Sequence, residues 1–128
     1  TAVKVVGDLS ERTLTYSVAG HPPPILLHGD GGVELLDQAT GPPLAASPEA
    51  VPRPLGGAAF APGDILVLYT DGLVERRGES LARGIDRLAD TARRHAGLGL
   101  EGAADAILAE LSPEGEAADD VALLLVAL

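Results

Sequence analysis

The chain has 128 residues, 46% of them hydrophobic, and its 9 basic against 19 acidic side chains leave a formal net charge of −10. That is one domain's length with enough apolar side chain for a core, which excludes an unstructured acidic tail. Two tyrosines, one phenylalanine, no basic cluster and no cysteine exclude a base-stacking platform, a duplex-binding face, disulfides, thiol chemistry and the common zinc sites.

The elements can be read in chain order. Ala2 to Val6 is a strand, followed by a turn at Gly7-Asp8. Thr13 to Val18 then alternates with period two, so the pair reads as a hairpin. Ile25-Leu26-Leu27 and Val33-Glu34-Leu35-Leu36 flank His28-Gly29-Asp30-Gly31-Gly32, a connection suited to positive φ and a second hairpin. Nine of the ten prolines lie between Pro22 and Pro62, and the Pro, Gly and Ala content of residues 37–57 predicts an irregular loop. Pro62-Gly63-Asp64 is a turn into Ile65 to Tyr69, whose unbroken apolar run is that of a buried central strand. Thr70-Asp71-Gly72 follows as a polar loop.

After Gly78, Leu81, Ile85, Leu88, Ala92 and Ala96 form the stripe of an amphipathic helix with Ser80 as N-cap. Gly97-Leu98-Gly99 breaks it. Leu100, Ala104, Ile107, Leu108 and Leu111 predict a second helix ending before Pro113, and Val121 to Leu128 a last buried strand. No apolar run approaches a membrane span and no secretory segment opens the chain, which makes the cytoplasm the default location. The chain starts at Thr1 and contains no methionine, as a section of a longer protein would.

Two carboxylate sites stand where a buried strand meets a loop. Asp71 follows one strand and Asp119-Asp120 precedes another. If the strands are antiparallel neighbours, these carboxylates share one sheet edge. There they would repel one another unless a cation compensates, and hard oxygen ligands select Mg²⁺ or Mn²⁺. Taken singly, Asp71-Gly72 also reads as a turn and Asp119-Asp120 as a cap or solvated loop. His21, before three prolines, reads as a structural histidine or a strand-end hydrogen bonder, and Arg76 and Arg77 either as solvated charges or as groups that steer a phosphate.

Three segments occur in order: Ala19-Gly20-His21-Pro22-Pro23-Pro24, then Gly63 to Glu75 with Tyr69-Thr70-Asp71-Gly72 at its centre, then Asp119-Asp120-Val121-Ala122-Leu123-Leu124. With these motifs the chain resembles the C-terminal half of a bacterial metal-dependent serine/threonine protein phosphatase of type 2C, in the branch of the sporulation stage II protein E and the RsbU-like regulators of sigma factors. The resemblance covers essentially the whole chain. It implies an α+β fold, part of a four-layer α-β-β-α sandwich with antiparallel sheets. It further implies that residues 1–128 are the C-terminal part of a single phosphatase domain.

The implied chemistry is direct attack on phosphoserine or phosphothreonine by water activated at a two-ion Mn²⁺ or Mg²⁺ centre. The implied substrate is a phosphorylated anti-sigma-factor antagonist, with a sensor domain possible upstream. Asp71 and Asp119 match metal ligands, Asp120 is the alternative ligand or a near neighbour, and Gly72 lets the loop pass close to the ions. His21 matches the Ala-Gly-His motif without an assigned role. The family's Gly-Asp motif, whose aspartate bridges the ions, is missing: Gly7-Asp8 has the right residues but sits too late in the family order, as a hairpin turn. The chain by itself is therefore expected to be inactive. The competing reading is a non-catalytic phosphatase-like module that docks a regulator.

Overall fold

A computed structural model describes residues 1–46, 52–112 and 120–128. Strands β1 (Ala2–Asp8) and β2 (Thr13–Ala19) pair antiparallel from Ala2↔Ala19 to Asp8↔Thr13. The predicted hairpin is present, but its turn falls two residues later than Gly7-Asp8. The cause is the Asp8 side chain, whose Oδ1 accepts from the Glu11 amide at 3.0 Å, the Ser10 hydroxyl at 2.7 Å and the Ser10 amide at 2.9 Å. An aspartate that bonds the backbone ahead of it closes the turn beyond itself. These bonds, that of Glu11 foremost, hold the Asp8 carboxyl below the usual carboxylate range.

The region expected to be irregular contains two short strands. β5 (Thr40–Gly41) runs parallel to the end of β2, and β6 (Gly56–Ala59) pairs antiparallel with its start. A Gly-Gly-Ala-Ala strand carries no side-chain pattern to betray it. At Gly56 glycine is required, because a Cβ there would overlap the Tyr16 ring.

The second sheet has the order β4-β3-β7-β8, antiparallel throughout, with β3 Ile25–Leu27, β4 Val33–Leu35, β7 Ile65–Tyr69 and β8 Leu123–Ala127. One face meets the first sheet: Leu26 and Leu66 pack with Leu14, Tyr16, Val18 and Phe60. The other meets helices: Ile25, Leu27, Val67 and Tyr69 pack with Ile85, Leu88 and Ile107. The described residues thus form three layers, sheet on sheet on helices, and β7 is covered on both faces. That is why its sequence is apolar without alternation. Each such side chain favours folding by about 1.5–3 kcal/mol on burial, so groups at either end of β7 sit on a firmly held strand.

The helical layer is α1 (Asp71–Val74), α2 (Leu81–His95), a 3-10 turn at Ala96–Leu98 and α3 (Gly99–Leu111). The Ser80 hydroxyl accepts from the Arg83 amide at 3.4 Å, the predicted cap. In place of a polar loop, residues from Asp71 onward make a one-turn helix that buries Gly72, Leu73 and Val74. On α3 the buried residues are Ala103, Ile107 and Leu111, and Leu100, on the same stripe in the first turn, is exposed. β8 is shorter than the predicted strand and, among the described residues, is an edge strand, with Leu124 still 56% exposed. Among the described residues no helix is long and apolar enough to cross a membrane.

Candidate functional site

The two acidic strand ends do come together. β7 and β8 are antiparallel, and Tyr69↔Leu123 is the last pair of their ladder. Beyond it the Thr70 amide donates to the Ala122 carbonyl at 3.0 Å. The Thr70 hydroxyl donates to the Asp120 carbonyl at 2.9 Å and accepts from the Ala122 amide at 2.8 Å. Asp71, the next residue, opens α1 and is exposed, as is Asp120. The Gly72 amide donates to Asp71 Oδ1 at 2.9 Å, so one carboxylate oxygen is oriented by the backbone. Gly72 itself is buried beneath this turn. Asp119 lies outside the described residues.

His21 approaches the same strand end from the other side. Its Nε2 lies 2.9 Å from the Tyr69 carbonyl, which it serves as donor, and its Nδ1 lies 3.3 Å from the Thr1 hydroxyl. The Tyr69 hydroxyl donates to the Pro23 carbonyl at 2.9 Å, and burial pushes its pKa well above the ordinary tyrosine value, so it stays a donor. Arg76 and Arg77 are exposed on the turn after α1. The next ion pair along joins Glu79 to Arg87 at 2.7 Å and, with that hydrogen bond as the main cause, lowers the Glu79 pKa.

Asp8 is remote from this edge. It sits at the turn end of β1, whereas Ala2 at the other end pairs with Ala19, two residues before His21. Six residues of strand put about 20 Å between them, and the Asp8 carboxylate is spent on its turn.

Sequence reasoning did not single out Asp64, at the opposite end of β7. It is 2% exposed and accepts from the Ala61 and Gly29 amides at 2.9 Å each and from His28 Nδ1 at 2.9 Å. Burial opposes its ionisation, but the two amides and His28 outweigh it, leaving its pKa below the usual range. The hydrogen bond to Asp64 is in turn the main reason the His28 pKa is raised. An aspartate directly before an apolar strand was the available signal, and Pro62-Gly63 beside it disguised it as turn chemistry.

The model for stage II sporulation protein E (SpoIIE) matches residues 1–128. The chain belongs to the SpoIIE family. Among solved structures, the RsbU and RsbW domains of a Mycobacterium tuberculosis protein align at TM-score 0.74 and 25% identity, covering 96% of this chain and 34% of that one. The SiaA-PP2C domain of Pseudomonas aeruginosa aligns at TM-score 0.71 and 26% identity, covering 98% and 50%. The SpoIIE phosphatase domain of Bacillus subtilis, presoaked with Mn, aligns at TM-score 0.68 and 16% identity, covering 100% and 56%, and shows the shared fold. The chain thus spans between about a third and a little over half of the solved chains it matches. The fold is that of the type 2C phosphatase domain, as the motifs implied.

The SpoIIE-family edge has the donor chemistry for a hard cation. Two exposed carboxylates suit a Mg²⁺ or Mn²⁺ ion that keeps most of its water. Among the described residues no three His, Cys, Asp or Glu side chains converge as a metal site.

Proposed function

We propose that this chain is the C-terminal part of a metal-dependent serine/threonine phosphatase domain of the SpoIIE family, and that it supplies one side of the metal centre. The observation that carries this reading is the hydrogen-bonded meeting of the Thr70-Asp71 and Asp120-Ala122 segments at one sheet edge. Asp71 and Asp119 would hold Mn²⁺ or Mg²⁺, with Asp120 as the alternative ligand or as an adjacent charge. Ions held there supply charge neutralisation and a water of lowered pKa. In the reaction a water oxygen forms a bond to phosphorus, the bond from phosphorus to the serine or threonine oxygen breaks, and that oxygen leaves as a hydroxyl. Arg76 and Arg77, five and six residues after Asp71, would steer the phosphate toward the edge.

Two features support a larger domain. β8 has a partner on one side only among the described residues, with Val126 packed toward the first sheet, Leu123 and Leu125 packed toward the helices and Leu124 left 56% exposed. Such an edge is a template for a further strand. The matched solved chains are also about 1.8 to 2.9 times as long as the part this chain covers. The substrate proposed is a phosphorylated anti-sigma-factor antagonist in the cytoplasm, supported by the likeness to an RsbU domain that shares a chain with an RsbW domain.

The test compares residues 1–128 with the full-length protein on p-nitrophenyl phosphate and on a phosphoserine protein. The full-length protein is expected to release phosphate in a Mn²⁺-dependent, chelator-sensitive way, and the isolated chain to release none. Full-length protein without Mn²⁺-dependent hydrolysis would overturn the reading in favour of a docking module.

A further inference from the structure

The C-terminal end of β7 is secured from both sides by side chains, where the backbone ladders run out. On the β3 side the register Ile25↔Val67, extended by two places, sets Pro23 opposite Tyr69. Pro22, Pro23 and Pro24 have no N–H, so this backbone has no donor to give the Tyr69 carbonyl. His21 Nε2 supplies it at 2.9 Å. The Tyr69 hydroxyl returns a bond to Pro23, which ties the proline segment to the strand it cannot pair with. On the β8 side the Thr70 hydroxyl is donor and acceptor at once, to Asp120 and from Ala122, across 50 and 52 residues of chain.

We infer that Thr70 and His21 are positioning residues: Thr70 fixes the spacing between the Asp71 and Asp120 segments, His21 holds the strand end that carries Asp71, and together they set the affinity of the edge for a divalent cation. The inference rests on the metal-centre reading above and gives the Ala-Gly-His motif a physical role. Neither side chain is a ligand in this scheme. Thr70 acts on a backbone carbonyl and amide that flank the second acidic segment, and His21 on the carbonyl two residues before Asp71. Groups that orient metal ligands at one remove typically carry ten- to hundredfold in metal affinity. Thr70 and His21 stand at that remove.

The experiment uses full-length protein, with Mn²⁺ binding measured by titration calorimetry and by the loss of the free-ion EPR signal, beside kcat, KM and thermal stability. Thr70→Val keeps the shape and removes both hydroxyl bonds, and it is expected to weaken Mn²⁺ binding about tenfold or more. Thr70→Ser keeps the hydroxyl and is expected to stay within about twofold of wild type. His21→Leu is expected to weaken binding, and His21→Gln, which places an N–H near the Nε2 position, to recover most of it. In the weakened variants, raising Mn²⁺ should restore kcat while KM for phosphoprotein stays unchanged. Wild-type Mn²⁺ affinity in Thr70→Val and His21→Leu would overturn the inference. So would Thr70→Ser and His21→Gln losing as much as their apolar counterparts. A wild-type protein that binds no Mn²⁺ would instead overturn the metal-centre reading on which it stands.

Discussion

The two ends of β7 each carry an aspartate, and the two could hardly differ more in circumstance. Asp64 is buried, receives three hydrogen bonds and has a lowered pKa. Asp71 is exposed and, among the described residues, its carboxylate accepts one hydrogen bond, from the amide of its own neighbour. A buried carboxylate with a shifted pKa is a common pointer to function, yet here its lone pairs are consumed in joining the β3–β4 turn to the start of β7. The carboxylate left with unused oxygens at a strand exit is the one suited to bind something. Occupancy of lone pairs, which here goes together with burial, separates the structural aspartate from the candidate ligand.

The sharpest way to break this comparison is to remove the same charge at each end. In full-length protein, Asp71→Asn is expected to cut kcat about a thousandfold, about 4 kcal/mol of barrier, while the melting temperature barely moves. Asp64→Asn is expected to do the reverse, costing about 3 kcal/mol of stability as buried donors lose their acceptor. A kinetic assay alongside a denaturant titration checks both, and a large loss of stability in Asp71→Asn would dissolve the distinction.

Gly84→Ala probes how firmly the Asp71 end is mounted. A Cβ there would overlap the Val74 carbonyl at the end of α1, where backbone cannot yield cheaply. About 1–3 kcal/mol of destabilisation is expected. Reduced activity at saturating Mn²⁺ should accompany it, because α1 starts with Asp71.

A smaller effect sharpens the Asp64 end through pH. The His28 pKa is raised on folding, so its pairing with Asp64 stabilises fully below about 6.5, the ordinary histidine value, and is lost as pH rises through the folded pKa. Asp64, with its pKa lowered, contributes above about 3.9 and loses its contribution only in stronger acid. The stability difference between wild type and His28→Leu is thus expected to be larger at pH 5.5 than at pH 8.5, measured by urea denaturation at both. The smallest effect concerns Arg76→Ala and Arg77→Ala. Both side chains are exposed, so a rise of a few-fold in KM for phosphoprotein, screened by salt, is expected with stability unchanged.

Much of this arrangement was legible in the sequence. β7, α2 and both hairpins announce themselves through apolar run, 3.6-residue stripe and period-two alternation, and Asp71 and Asp120 meet because antiparallel neighbours bring one strand's end to the other's start. β5, two residues long, and β6, made of glycine and alanine, stayed hidden, since both pair with β2 through backbone alone. α1 was masked because Asp-Gly after a strand reads equally as a turn, and its helical form comes from burying Leu73 and Val74 against α2. Thr70 was passed over since a lone hydroxyl acquires its significance only from the residues 50 and 52 positions away that it bonds.

That long reach has a kinetic consequence. The hairpins and helices close over short distances, whereas the Thr70 to Ala122 contact closes a span of 52 residues that contains the whole helical layer. Loop closure on that scale costs about 3.5 kcal/mol in its length-dependent part, so this contact, at the end of the β7–β8 ladder, is expected to form late in folding and to open before the ladder itself. An ion that bridges the two segments binds the closed state alone and raises its population by mass action. Divalent cation should therefore slow hydrogen exchange at the Ala122 amide more than at the Val18 amide, which bonds within the first sheet.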